Sequence, residues 1–119
     1  MKPDVKSSII PKMFRNQIGN FGIPALKSYN KDLASDYYIY QNVEKSWGYG
    51  LLINNEPMAG KRAAGSVSWT GVLNTYFWVD SKSDMAGVFL TQILPCYTPT
   101  ILKAFRSFEE LSYKYLVKS

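Results

Sequence analysis

Apolar and polar positions divide the 119-residue chain into a weakly patterned first part and a well-patterned remainder. Residues 1–46 are polar and interrupted by Pro3, Pro11, Gly19, Gly22 and Pro24. Within them Ile10, Met13, Phe14 and Ile18 are expected to face inward from a short helix, capped by Ser7 or Ser8 and tolerating Pro11 in its first turn. Residues 25–46 read as a long excursion, with turn chemistry at Ser28-Tyr29-Asn30-Lys31-Asp32.

The pattern sharpens at Trp47. Residues 47–54 are expected as a strand, followed by a hairpin-like connection through Asn55, Pro57 and Gly60. Residues 66–79 read as one long strand, bent or bulged near Gly71, because a glycine inside a strand marks a bulge or a close backbone approach. After the polar turn at 80–84, residues 85–94 form a third strand. Sequential strands joined by short turns pair antiparallel. The tail, 98–117, is a helix with Thr98 as N-cap and Pro99 at the first helical position. Its apolar stripe runs through Ile101, Ala104, Phe105, Phe108, Leu111, Ser112 and Tyr115, with Lys103, Arg106, Glu109 and Lys114 mostly opposite. Such a stripe is core packing before it is a ligand site. The expected class is therefore α/β in the broad sense, of the α+β type: an antiparallel sheet of at least three strands with the C-terminal helix on one face.

Composition narrows the chemistry. Hydrophobic residues make up 46% of the chain, enough for a modest single core. The net charge of +5 is spread from Lys2 to Lys118, with only Lys61 and Arg62 adjacent, so it reads as solvated surface and no nucleic-acid partner is expected. Cys96 is the only cysteine and there is no histidine. That excludes an internal disulfide, a Cys/His metal centre and a Ser-His-Asp triad; no cofactor is expected. No apolar run reaches membrane-spanning length, no export signal is evident, and the compartment stays open.

The runs WGYGLLINNEP and AAGSVSWTGVLNTYFWVDSKSDMAGVFLTQILP resemble the C-terminal third of serine hydrolases of the β-lactamase and penicillin-recognising superfamily, particularly class C-like esterases. The resemblance rests on Trp47, Gly48 and Gly50, on the Gly-Ser-x-x-Trp-x-Gly run, and on the segment from Tyr76 to Pro95. It extends back through MFRNQIGN and forward through the terminal helix, and it implies a partial β-lactamase-like fold. In that family the strand bearing Lys-Thr-Gly, His-x-Gly or Trp-x-Gly forms one wall of the active site. Trp69, Thr70 and Gly71 occupy those positions here. The resemblance makes Trp69, Thr70, Gly71 and Val72 substrate-binding. Gly71 leaves room for the acyl group, and the Val72 backbone N–H is an oxyanion donor, worth about 3 kcal/mol in the transition state. Trp69 stands where a lysine often holds a substrate carboxylate, which favours an ester or amide over a β-lactam.

The family's nucleophile is a Ser-x-x-Lys at a helix start, aided by a tyrosine in a second motif. Ser28 with Lys31, and Tyr40 in Tyr-Gln-Asn, spell those patterns, but in the family they lie far upstream of the Trp-Gly-x-Gly strand. The favoured reading is a solvated turn followed by a tyrosine-rich packing segment. Three functions stay open: an inactive C-terminal portion of a serine hydrolase, a non-catalytic assembly module, and a minimal hydrolase using Ser28. The expected partners are a small acyl ester or amide once the site is completed, and either a second copy or a complementary chain.

Overall fold

The computed structural model describes residues 6–37 and 40–117. After a single helical turn, α1 (Ile10–Met13), five strands follow: β1 (Lys45–Trp47), β2 (Leu52–Asn54), β3 (Val67–Gly71), β4 (Thr75–Asp80) and β5 (Met85–Phe89). The long helix α2 (Pro99–Leu116) closes the chain. The strands form one antiparallel meander in the order β1-β2-β3-β4-β5. The class is α+β, as the pattern of strands and tail predicts.

Two of the three expected strands are in fact hairpins. Residues 47–54 split because Gly48 and Gly50 turn the chain: the Gly48 N–H donates to the Leu51 carbonyl at 2.8 Å, and Gly50 adopts φ +74°. Gly48 has a second role. A Cβ there would fall 1.8 Å from the Met13 carbonyl oxygen, so the lead-in backbone crosses directly over this turn. Residues 66–79 split at Val72-Leu73-Asn74, where Asn74 takes φ +57°. Gly71 is thus the last residue of β3, paired with Thr75, and not a bulge inside a longer strand. The third strand stops at Phe89, short of Leu94.

The core lies between α2 and the inward face of β4 and β5. Tyr76, Trp78 and Asp80 alternate inward along β4. Phe105 of α2 stacks on Tyr76 at 4.6 Å and meets Trp78 edge-on at 6.0 Å. The buried face of α2 differs from the expected stripe. It carries Phe105, Glu109, Ser112 and Tyr113, whereas Ala104, Phe108, Leu111 and Tyr115 are exposed. Glu109 is inside because Arg62 is there to meet it: their ion pair measures 2.6 Å and both side chains are almost fully buried. The helix begins at Pro99, as expected, yet the Thr98 hydroxyl donates backwards to the Pro95 carbonyl and caps no helical N–H.

The lead-in differs too. Ile9, and neither Ser7 nor Ser8, holds the N-cap position of α1, and Ile10 is exposed. Met13, Phe14 and Ile18 are half-buried. Further on, an isolated bridge joins Leu26 to Tyr37, and a second joins Ala34 to Cys96. The lead-in is thereby strapped to the segment between β5 and α2.

Candidate functional site

The candidate wall is the C-terminal half of β3. The β2 ladder covers only Val67 and Ser68, through Ile53 and Leu52. Trp69, Thr70 and Gly71 are paired in the sheet with Phe77, Tyr76 and Thr75 of β4 alone. Half of β3 therefore lies inside the sheet and half is an edge. At such an edge main-chain groups face outward instead of into a neighbouring strand, and are open to hydrogen-bonding groups of another molecule.

Aromatic rings surround this half-edge. Trp69 meets Trp47 edge-on at 4.6 Å and Tyr37 at 6.5 Å. Tyr37 in turn packs on Tyr97 at 4.2 Å, and the Tyr97 and Thr70 hydroxyls hydrogen-bond at 2.9 Å. Burial pushes the phenols of Tyr37 and Tyr97 above their ordinary value, so both stay neutral. The Cys96 thiol approaches the Gly71 carbonyl at 3.4 Å, and burial raises its pKa as well, making it a packing group and a poor nucleophile.

Beyond Gly71 the chain enters the 72–74 turn, which holds the Val72 N–H. Asn74 anchors this turn and is fully buried. Its Nδ2 donates to the carbonyls of Ile93 and Pro95 at 2.7 and 2.8 Å; its Oδ1 accepts from the Tyr76 hydroxyl and the Tyr97 N–H at 2.7 and 2.8 Å. The Ile93 N–H and the Thr91 hydroxyl both donate to the Leu73 carbonyl, at 3.3 and 2.6 Å. A turn held at this many points presents its remaining N–H groups in a fixed direction. That is what an oxyanion donor needs, since preorganisation avoids reorganisation at the moment of reaction.

The Ser28, Lys31 and Tyr40 set is not brought together by hydrogen bonds. The Ser28 hydroxyl donates to the Asn30 carbonyl at 2.9 Å and accepts from the Asn30 N–H at 3.2 Å, a local turn. The Lys31 ammonium is paired with Asp36. Tyr40 donates to Glu109 at 2.6 Å and accepts from Arg62 at 3.2 Å. Burial drives its phenol up, Arg62 opposes and Glu109 adds to the rise, so the hydroxyl is held protonated.

No protein-family model and no curated protein matches the sequence. The fold does match a solved structure: the unliganded, selenomethionyl simvastatin synthase (LovD) of Aspergillus terreus, at TM-score 0.60 and 25% identity over 64% of this chain. The chain is related to the β-lactamase-like superfamily. The match spans 20% of LovD, so most of LovD's fold has no counterpart among the matched residues.

Sequence reasoning missed Asn74, Asp80, Arg62 and Glu109, all buried and all polar. Asn74 left one signal, as a turn-forming residue inside an apolar run. The Arg62–Glu109 pair, 47 positions apart, left none.

Proposed function

We propose that this chain supplies one wall of an acyl-transfer site of the β-lactamase-like serine hydrolase and acyltransferase type, and that it is inactive alone. The observation that carries the reading is the free half-edge of β3 at Trp69, Thr70 and Gly71, running into the anchored turn of Val72. Gly71 adds no side chain beside the acyl group; a Cβ there would meet the Thr75 hydroxyl. Thr70 and Trp69 line it, and the Val72 N–H donates to the oxyanion of the tetrahedral intermediate. The nucleophile comes from outside these 119 residues, because the Ser28 hydroxyl and the Lys31 ammonium are already committed to Asn30 and Asp36.

The test is labelling with a serine-directed fluorophosphonate, read by mass spectrometry. No serine of the folded chain is labelled above a denatured control; stoichiometric labelling of Ser28 overturns the division of labour. With its nucleophile supplied, the site favours short-chain esters over β-lactams, since Trp69 cannot pair with the β-lactam carboxylate. Comparable turnover of a cephalosporin and a p-nitrophenyl ester defeats that assignment.

A second reading, a non-catalytic assembly module, is favoured by the outer side of β5. There Val88, on the edge strand β5, and Leu90, just past its end, are 61% and 74% exposed. Exposed apolar surface beside an unpaired edge drives association with another copy or a complementary chain. A stable monomer in light scattering at high concentration counts against it.

A further inference from the structure

A second cleft, away from the aromatic half-edge, lies between the loop at 40–43, the loop at 57–61 and α2. It measures about 620 Å3, a volume typical of small-ligand sites. Its walls are held in place from behind. The Lys45 ammonium donates to the carbonyls of Tyr40 and Val43 at 2.7 and 2.8 Å, closing the first loop. The second is a tight turn in which the Met58 N–H donates to the Arg62 carbonyl and the Lys61 N–H to the Met58 carbonyl. Tyr40 is fixed through its hydroxyl by Glu109 and Arg62.

The lining has two chemistries. Lys61 and Arg106 bring positive charge, while Val43, Pro57 and Met58 supply apolar surface. Among the described residues neither cation is in an ion pair. Glu109, which lies on the same helix as Arg106, is already spent on Arg62 and Tyr40, so it does not neutralise them. A preformed cleft with two unpaired cations and an apolar wall is complementary to an anion that carries a hydrocarbon body.

We propose that this cleft binds a small amphipathic monocarboxylate, with the carboxylate on Lys61 and Arg106 and the alkyl chain on Val43, Pro57 and Met58. The proposal is independent of the acyl-transfer reading, because it uses none of the residues at Trp69–Val72. The test titrates the full chain with hexanoate, acetate and hexanol, following methyl shifts of Met58 and Val43 by NMR, with inorganic phosphate as a separate arm. Hexanoate is expected to bind at least tenfold more tightly than acetate or hexanol. Lys61→Gln and Arg106→Gln, whose side chains are on the surface of the cleft, are each expected to weaken hexanoate about tenfold and leave hexanol unchanged. Circular dichroism of each variant confirms that it is folded. Hexanoate binding no better than hexanol, or undiminished in the double variant, overturns the proposal. Phosphate displacing hexanoate at equal concentration overturns the assignment to a carboxylate bearing an alkyl chain.

Discussion

Replacing Asn74 separates two reasons why the turn after Gly71 holds its shape. The side chain makes four hydrogen bonds of 2.7–2.8 Å from a fully buried position, and the backbone sits at φ +57°. Each bond contributes about 1 kcal/mol net, and truncation leaves buried groups unpaired. The left-handed backbone adds about 1 kcal/mol of strain for alanine. Asn74→Ala is therefore expected to cost about 5 kcal/mol, a large share of the roughly 5–15 kcal/mol typical of a domain. Asn74→Gly spares the backbone strain and should recover about 1 kcal/mol of that loss. Asn74→Asp keeps the acceptor but points a carboxylate at the carbonyls of Ile93 and Pro95. Its penalty grows as pH rises above about 4, where the introduced group ionises, and shrinks below it. Urea unfolding followed by tryptophan fluorescence measures all three, with an unchanged m-value showing that only stability has moved. An alanine variant within about 1 kcal/mol of the parent refutes the anchoring argument. A glycine variant equal to the parent shows that the backbone angle alone matters.

Three further outcomes concern other contacts of the fold. Gly71→Val places a Cβ 2.2 Å from the Thr75 Oγ1, so the fold should lose about 1–3 kcal/mol. Adding Thr75→Ala relieves that clash; if the proposed substrate role holds, acylation in the completed enzyme should stay down by about a hundredfold because the valine methyls still flank the acyl group, and recovered ester turnover in the double variant defeats that role. Arg62→Met or Glu109→Leu alone should each cost about 3–5 kcal/mol by leaving a buried charge uncompensated, whereas the double variant should regain most of it; strictly additive losses in urea unfolding contradict this. Burial of Asp80 would raise its pKa, but hydrogen bonds from the Ala63 N–H, Ser83 and Tyr113 outweigh that and hold it below 3.8. Its contribution is thus present above about pH 4 and lost as pH falls through the lowered value, so Asp80→Asn should flatten the stability profile below pH 4; an unaltered acid limb rejects the assignment.

What the sequence discloses depends on how local the physics is. The apolar run through Tyr76 and Trp78 and the length of the tail helix are period signals, readable from neighbours. They find strand where β4 lies and the helix α2, although the same pattern joins β4 to β3 as one strand and leaves its last residue, Asp80, to the following turn. The turn at 72–74 breaks the rule because two of its residues, Val72 and Leu73, are apolar yet exposed, so the run from 66 to 79 scans as unbroken strand. The Gly48-Tyr49-Gly50 turn carried its signal in full, but the flanking Trp47 and Leu51 favoured strand and outweighed it. On α2 the expected stripe is misplaced because Glu109 takes a core position. A carboxylate is inside only when a cation meets it, and Arg62 arrives from a distant loop.

The same distinction runs through the candidate site. Trp69, Thr70 and Gly71 are contiguous, so a short motif was enough to point to them. What makes that strand end usable is not contiguous. The β2 ladder stops at Ser68, the Thr70 hydroxyl is held by Tyr97, and the turn is anchored by carbonyls of Ile93 and Pro95. Each of these is a pairing between segments with no shared period. A motif in this fold therefore names a candidate wall but not the restraint behind it. The restraint decides whether the Val72 N–H holds one direction, and a chain with the Trp-Thr-Gly motif but without the anchoring asparagine would keep the spelling and lose the preorganisation.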